Sequence, residues 1–68
     1  MSSVDDALAK AEELLTKLNE RSVELERLAE AEDIDADAAV DVIADLAELA
    51  KQIEAELTKA RTLADAAP

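Results

Sequence analysis

The 68-residue chain contains no Cys, no Gly, no His and no Phe, Tyr or Trp, and its one Pro is Pro68. Each absence removes a class of function. Without Cys or His there are no disulfides and no ordinary zinc sites. Phosphate-cradling loops need Gly. Base stacking on single-stranded nucleic acid needs aromatic rings. General acid–base catalysis most often uses His, and Ser2, Ser3 and Ser22 have no base to activate them. The composition therefore implies no catalytic residue, no cofactor site and no metal site of the usual kinds.

Charge is present, but mostly of one sign. Eighteen acidic residues against seven basic ones leave a net charge of −11. Phosphate contacts by Lys and Arg drive nucleic-acid binding, so direct binding by this chain is not expected. Anionic membrane surfaces would repel it, and no stretch approaches a membrane span. Met1-Ser2-Ser3-Val4-Asp5-Asp6 does not resemble a signal peptide. These features suggest a cytoplasmic protein. A basic protein surface is the partner that charge favours.

Apolar residues recur at alternating spacings of three and four, the signature of amphipathic helix. The first stripe is Val4, Leu8, Ala11, Leu15, Leu18, Ser22, Leu25 and Ala29, widened by Ala7, Leu14 and Leu28. Ser3 is a good N-cap, with Asp6 three residues on in a capping box. Asp6/Lys10 and Glu13/Lys17 have the favourable i,i+4 order. These signals predict a first helix over about 3–31. The second stripe is Ala39, Ile43, Leu46, Ala50, Ile53, Leu57, Ala60 and Ala64. It predicts a second helix over about 36–65, with a turn over about 32–35 and Pro68 beyond its end. Asp35 is the expected N-cap, and Ile34 could staple against Ala39.

Two amphipathic helices of similar length and a short connection predict one all-α domain, an antiparallel two-helix hairpin. One continuous helix in a coiled coil is the rival, because the spacing runs through the junction and no Gly or Pro interrupts it. Such a short chain has a marginal core, so the hairpin is expected to complete a bundle by oligomerisation or by docking on another chain. Val42 and Leu49 stand outside the second stripe as surplus apolar positions. With Ile34, Leu46 and Ile53 they are the candidate partner interface.

The remaining polar signals are carboxylates. Asp33-Ile34-Asp35-Ala36-Asp37 resembles the opening of an EF-hand loop. The required Gly and the bidentate Glu are replaced by Ala38 and Ala44, so a helix cap is the simpler reading. Residues 28–50 hold eight acidic residues and no basic one, either a solvated face or a site for cations or a basic surface. Glu30/Asp33 and Asp45/Glu48 place paired carboxylates at i,i+3, similar to all-helical nucleoside-triphosphate pyrophosphatases. The order and residue types differ from that family's, leaving a Mg²⁺-dependent hydrolase as a remote alternative.

The segment from Ser3 to Leu18, with its Ser-Val-Asp-Asp-Ala-Leu opening, resembles the first helix of the exodeoxyribonuclease VII small subunit. Asp33-Ile34, Leu49-Ala50-Lys51, Leu57 and Ala60 resemble that family's turn and second helix. The two halves are offset by about eleven residues, three helical turns, which preserves helical phase. The family's turn Gly and aromatic residues are absent here. The resemblance implies a non-catalytic subunit of a nuclease acting on single-stranded DNA, docked on the large catalytic subunit. A self-assembling structural coiled coil is the alternative.

Overall fold

The computed structural model describes residues 3–66; the expectation for Pro68 lies outside them. Two helices, α1 (Val4–Glu30) and α2 (Ala36–Ala66), pack against each other as an antiparallel hairpin. The rod measures 57 × 16 × 14 Å. The continuous-helix alternative is excluded by the break at residues 31–35.

Local chemistry sets both helix starts. The Asp6 N–H donates to Ser3 Oγ at 3.1 Å, and the Ser3 N–H donates to Asp6 Oδ2 at 3.3 Å, completing the capping box. At α2 the Ala38 N–H donates to Asp35 Oδ1 at 3.1 Å. Each cap satisfies an amide that the helix leaves without a partner. Helix α1 ends because Ala31 turns to extended backbone, with φ −65° and ψ 144°. No described residue has positive φ, so the connection needs no Gly. The Ile34 staple does not close. Ile34 stays 63% exposed, since Ala39 is half-buried and offers only one methyl group.

The seam between the helices differs from the expected stripes. Its residues are Val4, Ala7, Ala11, Leu14, Leu18, Ser22, Leu25 and Leu28 on α1, and Ala39, Val42, Leu46, Leu49, Ile53, Glu56, Ala60 and Leu63 on α2, all buried or half-buried. About half of the expected positions are kept and the rest are replaced by the residue one earlier, so each helix is rolled by roughly 50° from the expected stripe. Leu8, Leu15, Ile43 and Leu57 fall outside the seam, each between 43% and 52% exposed. The seam's Ala7, Ala11 and Ala60 are small, which lets the backbones approach closely.

Two polar residues interrupt the seam. The Ser22 hydroxyl donates to the Leu18 carbonyl at 3.0 Å, which satisfies it within its own helix. Glu56 is half-buried. No buried side-chain oxygen or nitrogen among the described residues lacks a partner, so its carboxylate keeps contact with water while its methylenes cover the seam.

Candidate interaction surface

Heptad letters locate what the seam leaves uncovered. With Ala11 and Leu14 as a and d on α1, and Ile53 and Glu56 as a and d on α2, the exposed e positions are Leu8, Leu15 and Ala29 on α1, the fourth, Ser22, being half-buried in the seam. On α2 they are Ala36, Ile43, Ala50, Leu57 and Ala64. In an antiparallel pair the e positions of both helices flank the same side of the seam. The structure shows this directly: Leu8, Ala11, Glu12, Leu15, Ile53 and Leu57 line one shallow, mainly apolar groove along the junction of the helices. Val40 and Ala47, one step outward on α2, extend the apolar strip toward the tip.

The opposite flank is polar. Arg21 bridges the helices there, with Nε 3.7 Å from Asp45 Oδ2. Its Nη1 lies 2.6 Å from Glu24 Oε2 on its own helix. The Glu24 hydrogen bond, then the Glu24 and Asp45 charges, raise the Arg21 pKa above its ordinary value. The expected Asp6/Lys10 and Glu13/Lys17 pairs are not the ones formed at Lys10. Its Nζ lies 3.6 Å from Glu13 Oε2 at i,i+3, a half-exposed contact of small energetic weight.

Of the five interface candidates, Val42 is only 4% exposed, and Leu46, Leu49 and Ile53 are half-buried in the seam. Val42 and Leu49 are therefore not surplus; α1 covers them. The surplus belongs to Ile43 and Leu57, joined by Leu8 and Leu15. Two apolar stripes one residue apart run along each helix, and spacing alone does not say which turns inward. Ile34 stands apart at the exposed turn.

Among the described residues no three carboxylates come together as a group that could hold an ion, and Asp45 faces Arg21. No described helix is long and apolar enough to cross a membrane. Comparison with known proteins finds no match: no family model, no curated protein and no solved structure matches the chain.

Proposed function

We infer that the chain is a non-catalytic protein–protein interaction module of the cytoplasm, docking other helices on the flank formed by Leu8, Leu15, Ile43 and Leu57. The carrying observation is surface the hairpin leaves uncovered. It exposes 5233 Å², whereas a compact monomer of its 7.3 kDa would expose roughly 4,200 Å². Along one face the exposed surface is apolar, with Leu8, Leu15, Ile43 and Leu57 each about half exposed, which favours a helical partner with an apolar or basic surface.

The most concrete form of this reading is an accessory subunit resembling the exodeoxyribonuclease VII small subunit. Its support is the Ser3–Leu18 segment and the Asp33–Ala60 pattern, carried on a helical hairpin. In that form every hydrolytic residue belongs to the large subunit. The test is a pull-down from host lysate with tagged chain, read by mass spectrometry beside Leu57→Asp as the control. Near-stoichiometric recovery of a large nuclease subunit, lost with Leu57→Asp, supports the accessory-subunit form. Its absence removes that form.

A further inference from the structure

Resting on the interaction reading, we propose that the occupant of the apolar flank is a second copy of this chain, docked antiparallel, so that two hairpins form a four-helix bundle with their acidic tips at opposite ends.

A face 57 Å long and 16 Å wide spans on the order of 900 Å², close to the ~800 Å² per partner of a standard stable interface. It is also close to the excess surface of the isolated hairpin.

A two-fold interface requires self-complementarity, and the flank has it. The α2 flank reads Ala36, Ile43, Ala50, Leu57, Ala64: small, large, small, large, small about Ala50. A two-fold axis at Ala50 sets Ile43 against the partner's Leu57 and lets the two Ala50 positions approach closely. The α1 flank reads Leu8, Leu15, Ser22, Ala29. Antiparallel pairing sets Leu8 against the partner's Ala29, large on small, and Leu15 level with the partner's Ser22, which lies half-buried in its own seam and leaves room beside it. The centre of the α1 pattern lies between Leu18 and Asn19. Arg21 facing Asp45 puts the two pattern centres within about 4 Å of one another along the rod, less than one helical turn.

Residues 19–49, the tip half, hold eleven acidic and two basic residues; the terminal half holds seven acidic and five basic. Copies docked in the same direction would set two strongly acidic tips side by side, which is repulsive. Antiparallel docking sets each tip beside the nearly balanced terminal half. It also brings the exposed Arg61 level with the partner's Asp37 and the partner's Asp41.

The experiment begins with sedimentation equilibrium of the full chain at about 0.15 M ionic strength. The expected mass is that of two chains. Leu57→Asp and, independently, Ala50→Glu should each weaken association by at least about tenfold while retaining the helical circular dichroism. Because the chain has no Cys, Ala50→Cys reports orientation by itself. Oxidation should yield a covalent dimer from Ala50→Cys and none from Ile34→Cys. Cross-linking at residue 34 alone means tips together and overturns the arrangement, as does a mass above two copies. Folded variants that associate as well as the parent chain also overturn it. A mass of one chain at every concentration overturns the second copy as occupant. In that event, a protein retained by the immobilised parent chain and lost with Leu57→Asp leaves the interaction reading standing. Retention of nothing defeats that reading too.

Discussion

The two halves of the rod hold together by different means. Four of the five buried residues, Ala7, Ala11, Leu14 and Ala60, lie in the terminal half; only Val42 lies in the tip half. The terminal half has small residues at its axis, which permit close packing, and its seam residues are the more fully shielded from water. The tip half relies on larger, half-buried residues such as Leu25, Leu28 and Leu46, and it carries most of the negative charge. The tip therefore combines weaker exclusion of water with stronger self-repulsion. Helices in a hairpin gain most of their stability from the shared apolar face, so opening is expected to begin at the tip.

The sharpest way to break that comparison is to cut the better-packed half. Leu14→Ala removes the largest buried side chain there and should cost about 2–3 kcal/mol. Urea unfolding should show a lower midpoint, and amide exchange should show the terminal half opening as readily as the tip. Equal protection before and after the change would defeat the asymmetry.

Salt offers a milder test. Raising the ionic strength screens exposed charges, so added salt should slow amide exchange in residues 19–49 more than in the terminal half. Uniform slowing would assign the difference to packing alone.

Glu56→Leu sharpens the comparison from the other side. It replaces the carboxylate that interrupts the terminal seam, and should raise the unfolding free energy by about 1 kcal/mol. An unchanged urea midpoint would mean that the glutamate stem already fills its place.

The smallest effect compares the two caps. Ser3→Ala should cost about 1 kcal/mol, the usual value for losing such a cap. Asp35→Ala removes a cap of the same kind but also one charge from the crowded tip, so its net cost in thermal unfolding should be smaller.

Arg21 is not a useful target for a pH scan. Its raised pKa means that its contribution is complete below the unfolded-state value and is lost only above it, in strong alkali.

Much of this architecture was legible in the residues. Alternating spacings of three and four specify helix, because that period returns apolar side chains to one face. Ser3 and Asp35 mark helix starts, since their side chains accept from amides that the first turn leaves free. The acidic turn without Gly or Pro still breaks the helix, because Ala31 leaves helical backbone and Asp35 recaps the chain. The surface was less legible. Leu14 and Leu15 both satisfy the period, as do Val42 and Ile43, so the sequence supports two adjacent seams equally.

Two capped amphipathic helices, their lengths and the concentration of negative charge at one end follow from the residues alone. Which stripe turns inward was decided only by tertiary structure. The roll of each helix depends on how facing side chains fit, and the fit adopted places Ser22 and the Glu56 stem in the seam. The same roll leaves Leu8, Leu15, Ile43 and Leu57 on a common flank. That flank is a property of the packed pair, because its two halves lie on different helices and meet only when the seam closes.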